Sequence, residues 1–301
     1  MFMWPVTPNR TIQLSYAVVA TSGRIRSPEV GYHADSNELA SAADLDRGAE
    51  SLHSGCVDTG AASGTAAEPV CRAALAADIG SVCSMINAVV FDVGETLVDE
   101  TREYGTWADW LGVPRHTFVS VFGATIALGG DYRETFQVFK PGFDLAAERE
   151  ARAQAGQPET YGEEDLYPDV RPALSALREI GVWVGIVGNQ TARSGRILRS
   201  LELPTDFVAT SDDWGVEKPS IEFFEKVVEV APCDAHEVVY VGDRIENDIA
   251  PAKAVGMRTA YIQRGPWGWI QRKKPEVAEL SDWMIHDLTE LTAIAAAEND
   301  S

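Results

Sequence analysis

The chain has 301 residues, 45% of them hydrophobic, which is enough for one large domain or two smaller ones with a substantial core. Its formal net charge of −21 argues against nucleic acid or an anionic membrane as partner, since both demand a basic face; the acidity reads as solubility. The four cysteines (Cys56, Cys71, Cys83 and Cys233) show no Cys-x-x-Cys spacing, so neither a disulfide framework nor a zinc site is expected, and no apolar run approaches the roughly 20 residues that span a bilayer. These features predict a cytoplasmic protein.

Residues 1–84 are rich in Ala, Ser, Gly and Thr, as in the run from Thr59 to Ala67, with weak periodicity. Two readings stay open: a disordered extension, or a mis-assigned translation start, Met85 standing just before the first strand. An export signal is disfavoured, because the apolar-leaning run 12–20 is short, is broken by Gln13 and Ser15, and has only Arg10 before it.

From residue 85 onward, apolar runs of strand length recur at 88–91, 182–187, 207–210, 238–241 and 259–262. Helical spacing separates several of them. Val170, Ala173, Leu174, Leu177 and Ile180 form one stripe that Gly181 ends. Ile221, Phe224, Val227 and Val228 form another, with Ser220 as N-cap. Ile249, Ala252 and Val255 form a third before Gly256, provided Pro251 falls in the first turn. Alternating strands and helices predict a parallel sheet with right-handed crossovers. Segment 101–166 breaks the alternation. It shows no strand, a helical stripe of Phe118, Val121, Phe122 and Ile126 after Pro114, and a charged helix around 144–152.

Three segments carry the chemistry. The run 88–91 delivers Asp92 to the carboxyl end of a strand, followed by Val93-Gly94-Glu95-Thr96-Leu97-Val98-Asp99. Ligands of open α/β sheets bind at that edge. Lys218-Pro219 precedes the second amphipathic helix. Gly242-Asp243-Arg244-Ile245-Glu246-Asn247-Asp248 follows the strand-like run 238–241.

In this order the segments resemble the haloacid dehalogenase-like (HAD) hydrolase superfamily, whose first motif is Asp-x-Asp-Gly-Thr, third a lysine usually followed by proline, and fourth Gly-Asp-x-x-x-x-Asp. The resemblance covers roughly residues 85 to 291. It implies an α/β fold, a Rossmann-like three-layer core with a parallel sheet formed by 85–100 and 167–301, and a smaller all-helical cap domain formed by 101–166. It also implies roles. Asp92 would be the nucleophile and Lys218 would screen its charge against a phosphoryl group. Asp92, Gly94 (through its carbonyl), Asp243 and Asp248 would bind or position Mg2+. Gly188, Asn189 and Thr96 would contact the phosphate or orient the Asp92 loop.

Two departures stand out. Gly94 occupies the place of the second aspartate, which in the family's phosphatases protonates the leaving alcohol and later activates water. Gly188, in Ile186-Val187-Gly188-Asn189, replaces a Ser or Thr. The expected function is a magnesium-dependent phosphatase acting on a small phosphorylated metabolite, one that either works on good leaving groups or borrows Glu95 or a cap residue as acid. The alternatives are a dehalogenase-like hydrolase of a non-phosphate bond and a non-catalytic binding protein on the same fold. Elsewhere, Arg264 to Trp269 is read either as part of the cleft mouth or as a packed aromatic turn, Tyr104, Trp107 and Trp110 as core, and Tyr132 and Arg133 as substrate-facing.

Overall fold

The computed structural model describes residues 85–300, so the expectations for residues 1–84, and for three of the four cysteines, lie outside the described residues. Six parallel strands form one sheet in the order β3-β2-β1-β4-β5-β6. They are β1 Ala88–Phe91, β2 Trp183–Gly188, β3 Phe207–Thr210, β4 Val238–Gly242, β5 Arg258–Ile262 and β6 Trp283–Ile285. The sheet is buried on both faces, which is why its strands read as continuous apolar runs rather than as alternating ones. Val89 and Phe91 of β1, Val184 and Ile186 of β2, and Val239 and Val241 of β4 enter one core with helices Val170–Glu179 and Glu290–Asn299. Ala88, Val90, Val187, Val238 and Tyr240 enter the other, under Phe223, Phe224 and Val227 of helix Ile221–Val230. The result is the expected α/β three-layer, Rossmann-like core.

The chain between β1 and β2 folds as helices Thr101–Leu111, Arg115–Ala127, Glu134–Phe139 and Leu145–Gln154. They share a separate aromatic core. Phe136 stacks on Phe143 at 4.6 Å between centroids, and Trp107 meets Phe136 edge-on at 5.4 Å. Asp144 caps the last of these helices by accepting from the Ala147 N–H at 3.0 Å.

Several local details differ from expectation. Strand β6 has three residues with Met284 exposed, too little pattern to read. Helix Ala192–Ser200 buries only Gly195 and Leu198, so it shows no apolar stripe. Ile180 and Ile221 fit their stripes by spacing yet are exposed, and Ser220 stands at its N-cap position without a side-chain bond. The third stripe begins with a wide π-turn, Ile245–Ile249, and becomes α-helical only at Ala250–Ala254, with Pro251 in the first turn. Residues 264–269, read either as part of the cleft mouth or as a packed aromatic turn, lie largely within helix Gly265–Gln271.

Candidate active site

From β1 the chain leaves toward β2 and β3, then returns to build β4, β5 and β6 on the other side. The carboxyl ends of β1 and β4 therefore flank the point where the strand order reverses, the usual ligand crevice of such sheets. Asp92 is the first residue after β1 and Asp243 the first after β4. The Asp92 N–H donates to the Val241 carbonyl at 2.9 Å, which locks the two strand ends together. The loop beyond Asp92 folds back on itself: the Leu97 and Val98 N–H groups both donate to the Val93 carbonyl at 2.9 Å, and Glu95 N–H to Val98 at 2.7 Å. The one left-handed residue in this loop is Glu95, at φ 55°, not Gly94.

Lys218 links the carboxylates. Its Nζ lies 2.6 Å from Asp92 Oδ1 and 2.6 Å from Asp248 Oδ1, and the side chain is buried. Burial alone would lower the lysine's pKa, but the carboxylates of Asp248 and Asp92 override it and hold the ammonium charged, well above its ordinary value. Asn189 sets the backbone of this lysine, its Oδ1 accepting from the Lys218 N–H at 2.7 Å and its Nδ2 donating to the Lys218 carbonyl at 2.9 Å. Its amide thus faces Lys218, while the residue also lines the cavity described below. Asp248 is fixed from a second side by the Arg244 N–H at 3.0 Å. Gly242 permits this, since a Cβ there would lie 2.5 Å from the Asp248 side chain.

Asp92, Asp243 and Asp248 each offer an oxygen within 4.8 Å of the others. Burial first, then its carboxylate neighbours Asp248 and Asp92, pushes the Asp243 carboxyl well above its ordinary range. Burial, with a smaller push from Asp92, raises Asp248 to about 6 against the opposing pull of Lys218. Asp243 Oδ2 is buried with no hydrogen-bond partner among the described residues. An all-oxygen cluster with an orphaned buried carboxylate oxygen is chemically suited to a hard divalent cation.

A cavity of about 510 Å³ opens over this edge. Asp92, Lys218 and Asp243 line its floor; Tyr104, Trp107, Tyr132, Arg133 and Arg149 of the helical segment line the opposite wall. Trp267, from the run 264–269, lines one side and meets Phe122 edge-on at 5.3 Å. Arg264 does not reach the cavity wall: it is buried against Asp169 and donates to the Thr96 carbonyl at 3.1 Å. Thr96 is fully buried beneath the loop, its hydroxyl without a partner among the described residues, and it does not line the cavity.

Sequence reasoning named Glu95 and missed Glu100. Glu95 is buried, and its carboxylate accepts from the Tyr167 hydroxyl at 2.6 Å. Burial raises its pKa to about 7 despite that bond. Glu100 holds the N-cap position of helix Thr101–Leu111 but makes no capping bond, and it lines the cavity. Burial, then the charges of Glu103, Glu95, Asp243 and Asp92, pushes its carboxyl well above the usual range. The sequence signal was slight: one acid just before a helix, where attraction to the helix N-terminus is the ordinary explanation.

A doubly wound core with a buried Asp–Lys–Asp relay under an open cavity is the arrangement of a hydrolase working from the sheet's carboxyl edge. A model of the haloacid dehalogenase-like hydrolase family matches residues 86–256, more than half of the chain, and the chain belongs to that family. It is 36% identical over 131 residues to a glyceraldehyde 3-phosphate phosphatase of Methanocaldococcus jannaschii, covering 42% of this chain and 55% of that protein. A second, from Pyrococcus abyssi, is 32% identical over 199 residues, covering 60% of this chain and 83% of the relative. The chain thus spans little more than half the length of some curated relatives it matches and most of others. Among solved structures, Bacillus subtilis YfnB, in a form bound to magnesium, superposes with a TM-score of 0.53 at 20% identity, covering 70% of this chain and 99% of that one. A subfamily IA hydrolase from Geobacter sulfurreducens gives 0.50 at 21% identity, covering 70% and 96%. These two likenesses bear on the fold alone.

Proposed function

We propose that this chain is a magnesium-dependent phosphatase acting on a small phosphorylated metabolite through an aspartyl-phosphate at Asp92. The observation that carries the reading is the Lys218 ammonium, 2.6 Å from Asp92 Oδ1, on the floor of the cavity. An anionic nucleophile approaching a phosphate needs positive charge beside it, and a pre-placed buried ammonium provides that without reorganisation. The family match over residues 86–256, the span that bears Asp92, Lys218, Asp243 and Asp248, and the phosphatase relatives support the same reading.

Residues 101–166 serve in this reading as a cap. They supply one wall of the cavity, so substrate selection falls to Tyr132, Arg133 and Arg149 rather than to the floor. Mg2+ would be held by Asp92 and Asp243, with Asp248 beside them, and when bound would supply positive charge to the phosphoryl oxygens. The other steps belong to the protein. Asp92 attacks phosphorus as the ester oxygen leaves. Lys218 offsets the carboxylate charge and keeps its oxygen aimed. Asn189 and Asp248 hold Lys218 in place. Water then cleaves the aspartyl-phosphate and returns Asp92.

The test is a screen of phosphorylated metabolites, three-carbon sugar phosphates included, with Mg2+ and with chelator. Phosphate release that needs Mg2+ and is lost in Asp92→Asn is the expected result. No release from any ester, or release unaffected by Asp92→Asn, defeats the reading.

A further inference from the structure

Gly94 has no side chain, yet the space a side chain would fill is taken. A Cβ on Gly94 would lie 2.5 Å from Glu100 Oε1, 2.9 Å from Glu100 Cδ and 3.3 Å from Glu100 Oε2. Real Cβ atoms essentially never come that close, so the Glu100 carboxyl stands in the volume that a longer residue at 94 would enter. It reaches there from another element, the start of helix Thr101–Leu111. Glutamate is not among the residues that usually cap a helix, and the Glu100 side chain makes no capping bond; it lines the cavity with Asp92 and Asp243. Gly94 and Glu100 are thus complementary: the missing side chain makes room for the carboxyl that replaces it.

We propose that Glu100 is the catalytic acid–base of this enzyme, delivering its carboxyl from the first helix after the motif loop to the place left open by Gly94. The proposal rests on the phosphoryl-transfer reading above. In the first step the Asp92 carboxylate oxygen bonds to phosphorus, the phosphorus–ester oxygen bond breaks, and the Glu100 proton passes to the departing alkoxide, releasing alcohol. In the second step water bonds to phosphorus, its proton passes to the Glu100 carboxylate, and the phosphorus–Asp92 bond breaks. Phosphate leaves, Asp92 is a carboxylate again and Glu100 is protonated again, so atoms and protons balance over the cycle.

The test compares alkyl phosphates with dinitrophenyl phosphate, whose leaving group needs no proton. In Glu100→Gln, alkyl phosphate turnover should fall about 10²–10⁴-fold, the usual worth of general acid–base help. First-turnover release of dinitrophenolate should persist as a burst, because only the second step then lacks its base. The phosphorylated protein should accumulate, seen by intact mass as an adduct that maps to Asp92. A relocation variant gives an independent arm. Glu100→Ala empties the volume beside residue 94, so the Gly94→Asp/Glu100→Ala double variant should recover alkyl phosphate turnover at least about tenfold over Glu100→Ala, while Gly94→Asp alone, with Glu100 in its way, should gain nothing. Melting curves check that each variant is folded.

An equal loss on both leaving groups with no adduct, or Glu100→Gln activity close to wild type, overturns the proposal while the phosphatase reading stands. If wild type hydrolyses no phosphate ester, the phosphatase reading itself fails and this proposal with it.

Discussion

Oδ1 of Asp92 lies 2.5 Å from where a Cβ on Gly188 would stand, so the proposed nucleophile fills the place of the side chain missing from the end of β2. The same carboxylate oxygen contacts Lys218 Nζ at 2.6 Å. A methyl group at 188 would have to push that oxygen away, and it would also crowd Val93, whose Cγ2 is 3.1 Å and N 3.3 Å from the same point. We expect Gly188→Ala to lower kcat by about 10²-fold, since a misplacement of about 1 Å at the reacting atoms costs roughly that much. Unchanged kcat with an intact fold would mean that Asp92 reaches phosphorus from another rotamer.

Lys218→Met should be inactive and less stable. Removing the ammonium leaves Asp92 and Asp248 facing each other, buried and unpaired, beside Asp243. Breaking a buried ion pair by taking one partner costs about 3–5 kcal/mol. Chemical denaturation measures it. A loss under about 1 kcal/mol would show that the carboxylates find protons or water instead.

Asp243 should separate metal binding from folding. Its carboxylate is buried among like charges, and one oxygen is orphaned. In metal-free buffer Asp243→Asn should melt no lower than wild type, because it removes repulsion. With Mg2+ at about 100 times its dissociation constant, wild type should gain about 2.7 kcal/mol that the variant lacks. Equal Mg2+ stabilisation of both proteins would place the cation elsewhere.

Glu103, in the wall of the cavity, predicts a pH dependence of stability. Burial first, then the neighbouring Glu159, raises its carboxyl from 4.5 to about 7. The folded state therefore binds this proton more tightly than the unfolded state does. The penalty for ionising Glu103 is absent below about pH 4.5 and complete once the pH has risen past about 7. Melting temperature of wild type relative to Glu103→Gln should fall between those limits and then level off. Parallel curves across that range would mean that Arg149 and Arg152, which oppose the shift, neutralise Glu103 in the folded state.

Five of the six strands were legible because burial on both faces forces an unbroken apolar run, and β1, β3 and β4 begin where the runs do. Short edge strand β6 and helix Ala192–Ser200 were not, because an element that buries one or two side chains carries no period. Asp92, Lys218, Asp243 and Asp248 could be singled out in sequence because the resemblance to the family's motifs names them, and each motif is tied to the end of a strand or the start of a helix.

What lies between elements needed the tertiary structure. Asn189 turns its amide to the backbone of Lys218, a residue 29 positions away. Arg264 is drawn under the loop by Asp169 rather than into the cleft. Gly94 and Gly188 looked in sequence like two deletions of function. In the folded chain each small residue leaves a volume that a carboxylate occupies, Glu100 at one and Asp92 at the other. Sequence records which side chain is missing; which neighbour fills the space depends on how two separately folded elements pack, and a one-dimensional pattern carries no term for that.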